Sequence, residues 1–235
     1  MNSVLLKLSG EALAGDAKKG LNNDVVKTVA AQVKSLVDNG IRTGIVIGGG
    51  NFWRGDEHEA EIERTKGDQI GMLATVINCL YVSEVFRQEG MITKVFTPFT
   101  VGTATDLYSS DKVKKLLDRG GVAFFAGGTG HPFFSTDTAT VLRALEMKAD
   151  AILMAKSVDG VYDSDPAKNP DAKKFDTITI DEVVEKSLGV IDAAAAVMVK
   201  EHGLKLQVFD LNEENGILKA ATGEGNGTTV LPVSE

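Results

Sequence analysis

The sequence of 235 residues has few of the features that mark secreted or membrane-embedded proteins. Its single cysteine, Cys79, cannot form a disulfide within the chain, which favours a reducing compartment and predicts a cytoplasmic protein. The longest stretch without a charged side chain, residues 120–136, is interrupted by five glycines and Pro132, so we do not expect it to span a membrane. The first residues also lack the basic flank and long apolar region of a signal peptide.

Basic residues are also fewer than acidic residues. The chain has 25 Lys and Arg residues against 33 Asp and Glu, a formal net charge of −8. This excludes a general polybasic surface, so we expect neither a nucleic-acid partner nor a membrane partner. A phosphate-bearing ligand would instead be held by a few placed cations and by backbone N–H groups. The 43% hydrophobic and 25% charged residues are typical of a folded globular protein, and we expect one domain over residues 1–235.

Glycine is abundant, with 25 copies, and it clusters directly after apolar runs. Continuous apolar runs without polar alternation are typical of parallel strands buried on both faces, and helical periodicity separates these runs along the chain. The alternation predicts an α/β fold, a three-layer αβα sandwich with a mainly parallel open sheet. The predicted strands cover residues 3–8, 43–47, 121–126, 151–154, 206–209 and 228–231; the predicted helices cover about 24–38, 69–89, 136–148, 192–201 and 215–221.

The positions of the glycines and of two basic residues indicate phosphate chemistry. Glycine after a strand lets a ligand approach backbone N–H groups, and three such loops favour a shared anion site over three unrelated tight turns. Lys7 lies inside the first apolar run, where it either lays its stem along the strand or projects a cation past the strand end. Arg54 follows the second glycine loop, and its planar cation suits phosphate.

Three carboxylates each have two interpretations. Asp68, Asp137 and Asp192 lie near predicted helix starts, where a carboxylate can simply cap the helix or complement its dipole. The other interpretation is a direct role at the anion site. The sequence has no P-loop, no catalytic-triad signature and no metal-ligand spacing among its three histidines, so we predict no protein-held metal. Cys79 lies on an apolar helix, where core packing is favoured over a nucleophile.

Six segments together resemble the bacterial UMP kinases, which belong to the amino-acid kinase superfamily. The resemblance covers nearly the whole chain, and its glycine-rich fourth segment, combined with the third, is the most particular to that family. The segments are residues 7–13 (KLSGEAL), 48–55 (GGGNFWRG), 67–75 (GDQIGMLAT), 128–137 (GTGHPFFSTD), 158–166 (VDGVYDSDP) and 190–192 (VID).

The resemblance implies an ATP-dependent kinase with an amino-acid kinase-like fold, in which particular residues bind each nucleotide. Its implied catalytic residues are Lys7, Arg54, Asp137 and Asp192, the two aspartates orienting Lys7 and keeping it charged. The implied ATP-binding residues are Lys7, Leu8, Ser9, Gly10, Gly50, Arg54, Lys156, Tyr162 and Asp165. The implied UMP-binding residues are Gly49, Asp68, Thr129, Gly130, His131, Pro132, Phe133, Phe134, Ser135 and Thr136.

This sequence departs from the family pattern at three places. The family usually has Asn where this chain has His131, and Thr is frequent at the position of Lys156. Residues 15–21 lack the glycine–aromatic pattern found where some members bind activating GTP.

The implied reaction converts ATP and UMP to ADP and UDP in pyrimidine nucleotide biosynthesis. Mg²⁺ would enter with ATP, held mainly by its phosphates, because no dense carboxylate cage is evident in the sequence. The family's enzymes are allosteric hexamers, so a cytoplasmic homohexamer is expected. The apolar residues that surround the helix through residues 70–85 also predict burial of that helix on all sides, by the core or by a partner.

Two other functions remain open from the sequence. The same fold could carry a kinase that makes an acyl phosphate from an amino acid or carbamate, and Asp68 with residues 129–136 favours a nucleotide acceptor instead. The chain could also be a non-catalytic nucleotide-binding protein. The presence of Lys7, Asp137 and Asp192 together argues against that alternative.

Overall fold

The computed structural model describes residues 1–54 and 62–233, and within these residues the strands form one large sheet and one small ribbon. Gly55 of the second glycine loop and His58 lie outside the described residues. The strands are β1 (Ser3–Leu8), β2 (Arg42–Ile47), β3 (Thr93–Thr97), β4 (Asp106–Leu107), β5 (Val122–Phe125), β6 (Ala151–Lys156), β7 (Val161–Tyr162), β8 (Lys174–Phe175), β9 (Thr177–Thr179), β10 (Lys205–Asp210) and β11 (Thr228–Leu231).

Helices connect most of these strands. They are α1 (Gly10–Ala14), α2 (Asn23–Asp38), α3 (Arg64–Gln88), α4 (Ser110–Leu117), α5 (Thr136–Glu146), α6 (Ile180–Glu185), α7 (Ala193–His202) and α8 (Gly216–Thr222). Every predicted helix is present, and the predicted strands are found with their ends shifted by at most two residues. Short elements such as α4, α6 and β7 were not predicted, because a few residues carry too little periodicity to recognise.

The large sheet has the order β4-β3-β5-β2-β1-β6-β10-β11-β9, and β1 lies at its centre. All its neighbouring strands are parallel except β10 and β11. Lys7 of β1 lies opposite Val46 of β2 and Met154 of β6, so the three strands end at the same edge. Loops that follow parallel strands therefore gather there, as the glycine clusters predicted.

Two hydrophobic cores cover the two faces of the sheet. Helices α2, α3 and α8 pack on one face, with Val33, Phe86 and Ile217 fully or almost fully buried. Helices α4 to α7 pack on the other face, where Val141 and Val199 are buried. The predicted three-layer α/β architecture with a mainly parallel sheet is confirmed.

Helix α2 begins and ends where its sequence predicts. The side chain of Asn22 accepts hydrogen bonds from the N–H groups of Asp24 and Val25, which caps the first turn. Gly40 follows the last turn with φ +75°, a conformation that glycine adopts without strain.

Helix α3 begins earlier than predicted, at Arg64 rather than after Asp68. Asp68 is therefore the fifth residue of the helix, and the interpretation of Asp68 as a helix cap is wrong. The capping position is Glu63, whose side chain makes no capping hydrogen bond. Apolar periodicity in the sequence could not show the start, because the first turn of α3 is polar.

One face of α3 stays uncovered in the single chain. Ile70, Leu73, Ile77 and Tyr81 recur at helical spacing and are between 37% and 51% exposed. We call these four residues the α3 stripe. By length and composition alone α3 could cross a membrane, with a mean hydropathy of 1.4 over its most apolar 18 residues, but half of that window is buried inside the protein. The core therefore covers only part of the helix that we predicted to be buried on all sides.

Candidate active site

The first and second glycine loops touch each other at the edge where β1 and β2 end. A side chain at Gly10 would meet Asn51 Oδ1 and, at 2.5 Å, the carbonyl oxygen of Gly48. Only glycine allows two backbone segments to approach this closely. The glycines therefore bring the loops together as well as exposing their N–H groups.

A buried pair of amide side chains holds the second loop to helix α3. Asn51 Nδ2 donates to Asn78 Oδ1 at 2.9 Å, and Asn78 Nδ2 donates to Asn51 Oδ1 at 2.7 Å. Asn78 Nδ2 also donates to the Gly48 carbonyl at 2.7 Å, and Asn51 Nδ2 donates to the Gly20 carbonyl at 2.6 Å. Buried amides that are fully paired in this way fix a loop in one position.

The third glycine loop is held by the same helix, three residues earlier. Thr75 Oγ1 accepts a hydrogen bond of 2.8 Å from the buried N–H of Gly127 and donates one of 2.7 Å to the Met72 carbonyl. Gly127 and Gly128 both have positive φ, at +78° and +60°. Thr75 and Asn78 thus join two of the three loops to one rigid element.

Lys7 and Asp137 form an ion pair at the end of the central strand. Lys7 Nζ lies 3.0 Å from Asp137 Oδ1, and the two side chains are 14% and 19% exposed. That carboxylate oxygen is buried and accepts no hydrogen bond from any described group, so the lysine charge is what compensates it. The sequence prediction that Asp137 orients Lys7 agrees with this contact.

Asp192 does not contact Lys7 in the part of the chain that the structure describes. Its oxygens accept hydrogen bonds from the hydroxyl groups of Ser135 and Thr138, and from the N–H of Ala195. Ser135 in turn caps α5, the helix that carries Asp137. Any effect of Asp192 on Lys7 in this structure is therefore indirect, through the start of α5, and its role in orienting Lys7 stays a prediction.

The protonation of Asp192 reflects these contacts. Burial on its own would raise the pKa of this carboxyl group. Hydrogen bonds from Ser135, the Ala195 N–H and Thr138 outweigh burial, and the pKa lies below its usual range. Asp192 is therefore a carboxylate at neutral pH, as its acceptor role requires.

Lys156 lies on the same side of the sheet as Lys7, at the end of the neighbouring strand. Its Nζ donates a hydrogen bond of 3.2 Å to the Val190 carbonyl. Burial first, and the charge of Lys7 second, lower the pKa of Lys156, while Asp137 opposes the shift. The positive charges of Lys7 and Lys156 are therefore close enough to repel each other.

A cavity of about 520 Å³ opens beside Lys156. Its wall includes Tyr162 and Asp165, two more residues of the predicted ATP set, together with Val190. The Tyr162 hydroxyl donates to Asp159 at 2.7 Å, and Lys174 lies 2.7 Å from the same carboxylate. We call this the donor cavity.

A second cavity of about 450 Å³ has six of the residues predicted to bind the acceptor in its wall. We call it the acceptor cavity. Gly50 and Arg54 line this cavity too, although both were expected on the ATP side. The remaining acceptor residues, Thr129, Gly130, Pro132 and Phe133, belong to the loop at its edge but not to its wall. The predicted residues in the wall are Gly49, Gly50, Arg54, Asp68, His131, Phe134, Ser135 and Thr136.

The acceptor loop, residues 129–136, is fastened to α3 through Asp68. Arg64 Nε donates to both oxygens of Asp68 at 3.0 and 3.1 Å, and the N–H of Phe133 donates to Asp68 Oδ2 at 2.8 Å. Phe133 has φ +69°, which is strained for a residue that is not glycine, and the residue is 69% exposed. Strained backbone at a cavity edge is typical of functional loops.

Arg54 is directed at a carboxylate in this structure. Its guanidinium forms an ion pair with Glu11, and a side chain at Gly50 would meet the same carboxylate at 2.8 Å. Glu11 was part of the sequence motif but was not predicted as a site residue. The predicted phosphate contacts of Arg54 therefore require its guanidinium to move or to be shared.

The first phosphate loop follows β1 directly. Leu8 is fully buried at the end of the strand, and Ser9 precedes the short helix α1. The Ser9 carbonyl accepts a hydrogen bond of 3.2 Å from the Leu13 N–H.

Cys79 is fully buried, and burial raises the pKa of its thiol to about 12. The prediction of a core cysteine is confirmed. Among the described residues, no group of three or more His, Cys, Asp and Glu side chains is arranged to hold a metal ion.

Several residues that support the site were not predicted from the sequence: Thr75, Asn51, Asn78 and Thr138. A signal for two of them was present, because Thr75 and Asn78 are polar residues three apart in an apolar helix. Buried polar side chains are nearly always hydrogen-bonded, so such residues point to a neighbouring loop. Asn51 and Thr138 carried no comparable signal.

Comparison with known proteins gives a consistent assignment. The sequence profile of the amino acid kinase family matches residues 2–210. The uridylate kinase of Psychrobacter sp. (strain PRwf-1) is 44% identical over 230 residues, which covers 97% of this chain and 95% of that protein.

Solved structures agree with the sequence comparison. The crystal structure of UMP kinase from Bacillus anthracis superposes with a TM-score of 0.95 at 36% identity, covering 99% of this chain and 97% of that one. UMP kinase from Ureaplasma parvum superposes with a TM-score of 0.92 at 31% identity, covering 98% of each chain.

The network around Asp192 predicts a pH-dependent contribution to stability. Because the pKa of Asp192 is lowered by folding, its stabilisation is complete above the unfolded value, about 3.9, and is lost as pH falls through the folded value. Asp192→Asn should lower the free energy of unfolding at pH 7 by about 1.5–3 kcal/mol, the range for hydrogen bonds to a charged group.

Urea unfolding at pH 7 and at pH 3 measures this difference. The deficit of Asp192→Asn should shrink at the lower pH, while Glu201→Gln, an exposed change at the end of the same helix, should have little effect at either pH. A deficit that is the same at both pH values would contradict the ionised role of Asp192.

Proposed function

The chain belongs to the amino acid kinase family, and on that basis we propose that it transfers the γ-phosphoryl group of ATP to UMP, giving ADP and UDP. The observation that carries the proposal is the placement of the Lys7–Asp137 ion pair. Asp137 follows Thr136 of the acceptor cavity, and Lys7 neighbours Lys156 of the donor cavity. A cation whose neighbours line two nucleotide-sized cavities suits phosphoryl transfer between nucleotides.

The chemistry needs little from the protein beyond position and charge. The acceptor is already a phosphate anion, so no strong general base is required. The transferring group gains stabilisation from Lys7, Arg54 and the N–H groups of the glycine loops. An enzyme-bound intermediate is not expected, because Cys79 is buried with a raised pKa and no other activated nucleophile is evident among the described residues.

The acceptor cavity favours a nucleotide over an amino acid or carbamate. Its volume of about 450 Å³ and its wall, which combines Asp68 with Phe134 and glycine loops, can hold a base, a ribose and a phosphate together. Asp68 offers acceptors for ribose hydroxyl groups. An amino acid would leave most of this wall without contacts.

Mg²⁺ is proposed to arrive with ATP rather than to reside in the protein. Asp137 and Asp192 do not fit a protein-held ion, because Asp137 pairs with Lys7 and Asp192 accepts from hydroxyl groups. When bound, the ion would neutralise phosphate charge on the nucleotide. The residues of this chain then hold the nucleotide and the acceptor in line.

An acceptor panel tests the proposed function. ADP release should be measured with ATP and UMP, CMP, dUMP or glutamate as acceptor. We expect rapid release with UMP and little with glutamate. Release with glutamate but not with UMP would favour the acyl-phosphate kinase, and the absence of ADP release with every acceptor would favour a non-catalytic nucleotide-binding protein.

Lys7 should contribute to turnover beyond its contribution to folding. Lys7→Ala removes a cation from the transferring phosphoryl group, and kcat should fall by about 100-fold or more. Because Asp137 would then be buried without its partner, the double variant Lys7→Ala/Asp137→Asn serves as the control. The double variant should regain thermal stability but remain slow. Near-normal turnover in the double variant would rule out the catalytic role.

Asp68 should select for UMP. If its carboxylate accepts hydrogen bonds from the ribose, Asp68→Asn removes interactions worth about 1.5–3 kcal/mol and raises KM for UMP by about ten- to a hundredfold. KM for ATP should barely change, because the donor cavity lies elsewhere. Steady-state kinetics and the melting temperature should be measured together. An equal rise in both KM values, or a lower melting temperature with an unchanged KM for UMP, would indicate that Asp68 only holds the acceptor loop in place.

We further propose a homohexamer, with the α3 stripe as one of its interfaces. Four apolar side chains on one exposed helix face are costly in water, and a second copy of the chain could bury them. The expected family assembly, a hexamer built from dimers, requires such a face on every chain.

Light scattering at micromolar concentration tests the assembly. The mass should be about six times the 24.9 kDa of the chain. Ile77→Glu places a charge in the centre of the α3 stripe and should reduce the mass, while Glu84→Gln on an exposed part of the same helix should not. A monomer mass for the unaltered chain, or a hexamer mass for Ile77→Glu, would contradict the proposed interface.

The cellular setting is proposed on the same basis. A UMP kinase supplies UDP to pyrimidine nucleotide biosynthesis, and the free, buried Cys79 is compatible with a reducing cytoplasm. Allosteric control remains a proposal from the family resemblance. Assays of UMP phosphorylation with added GTP and UTP would test it directly.

A further inference from the structure

Lys156 is a partly buried cation without a carboxylate partner among the described residues. Among residues 1–54 and 62–233 it takes part in no ion pair within 4.0 Å, and its described hydrogen bond goes to the neutral carbonyl of Val190. An ammonium group has three N–H donors, so the Val190 contact leaves donors for a ligand. Burying an uncompensated charge is unfavourable, and an anion nearby would relieve that cost.

The neighbouring charges do not provide that anion. Asp137, the carboxylate that acts on Lys156, lies within ion-pair distance of Lys7 instead. Asp192 is engaged with Ser135, Thr138 and the N–H of Ala195. The ammonium groups of Lys7 and Lys156 are therefore both near the carboxylate of Asp137. This cluster of two lysines and one aspartate has a net positive charge, which an anionic ligand would compensate.

Lys156 lines the donor cavity and lies at the end of the strand next to the one that carries Lys7. Tyr162, Asp165 and Lys156 line the donor cavity, and Lys7 lies on β1, the strand next to β6. Lys156 is the last residue of β6, two residues beyond Met154, which is the partner of Lys7. Neighbouring strands are about 4.8 Å apart, so a phosphate chain that leaves the donor cavity for Lys7 must cross the end of β6.

We propose that the Lys156 ammonium binds the phosphate chain of ATP between the donor cavity and Lys7, as a second cation of the donor site. The sequence placed Lys156 on the adenine and ribose side; its position at the strand end gives its side chain a phosphate role. The proposal rests on the assignment of this cavity to ATP. The hydrogen bond to the Val190 carbonyl holds the Lys156 ammonium at the cavity edge, where it can bind a phosphate group.

Calorimetric titration of the full-length protein separates phosphate binding from nucleoside binding. The probes are adenosine and the Mg²⁺ complex of β,γ-imido-ATP, which is not hydrolysed. Lys156→Gln removes the charge but keeps a donor for the Val190 carbonyl. It should weaken the imido triphosphate by about ten- to a hundredfold, the effect of a charged hydrogen bond, and leave adenosine within about twofold.

Matched variants complete the experiment. Lys156→Arg keeps the charge and should recover most of the triphosphate affinity. Lys205→Met removes a lysine from the opposite end of the adjacent strand, where it lies beside Ala151, and should change neither affinity. Kinetics should show a raised KM for ATP and an unchanged KM for UMP in Lys156→Gln. If Lys156→Gln does not fold, Lys156→Met is measured in its place, with the same expectation.

The outcomes distinguish this inference from the proposed function. Equal weakening of adenosine and the triphosphate, or unchanged affinity for both, would overturn the phosphate role of Lys156. Either result can occur in a protein that still phosphorylates UMP. Failure of the unaltered protein to bind the imido triphosphate would overturn the assignment of the cavity to ATP, and this inference with it.

Discussion

Two phosphate groups of like charge must be brought within bonding distance in a protein whose own net charge is −8, and the rest of the site follows from this constraint. Coulomb repulsion between the substrates has to be offset by a few cations in fixed positions. Lys7 meets this need because it lies on the central strand, next to the strand that carries Lys156 of the donor cavity, and pairs with Asp137, which follows Thr136 of the acceptor cavity. Its ion pair with Asp137 fixes the ammonium group. The pair also compensates a carboxylate oxygen that accepts no hydrogen bond from any other described group.

Helix α3 makes that arrangement rigid. It is mostly apolar, yet it carries Thr75 and Asn78, whose hydrogen bonds hold the third and second glycine loops. Near its start, Asp68 fastens the acceptor loop through the N–H of Phe133. One helix thus sets the positions of two loop regions from different parts of the sequence, the second glycine loop and residues 127–136. The α3 stripe lies on its uncovered face, so assembly of the proposed hexamer would further fix the same helix.

Much of this fold could be predicted from the sequence, because buried parallel strands and glycine loops leave strong local patterns. β1, β2 and α2 were found almost at their observed bounds. The start of α3 was missed since its first turn is polar, and Asp68 was consequently given a capping alternative. The contacts of Asp192, and the place of Gly50 and Arg54 in the wall of the acceptor cavity, were not predicted because both depend on how distant segments meet. No pattern within a single segment could indicate that Asp192 reaches Ser135 or that Arg54 reaches Glu11.

Direct transfer between two bound nucleotides is the central claim, and the fate of the γ-phosphoryl group tests it most directly. The protein should be incubated with ATP labelled at the γ-phosphorus, with and without UMP, and the label followed on nucleotides and on the protein. We predict label on UDP only when UMP is present, and none retained on the protein in either case. Label that accumulates on the protein before UMP is added, or that never reaches UDP, would contradict direct transfer.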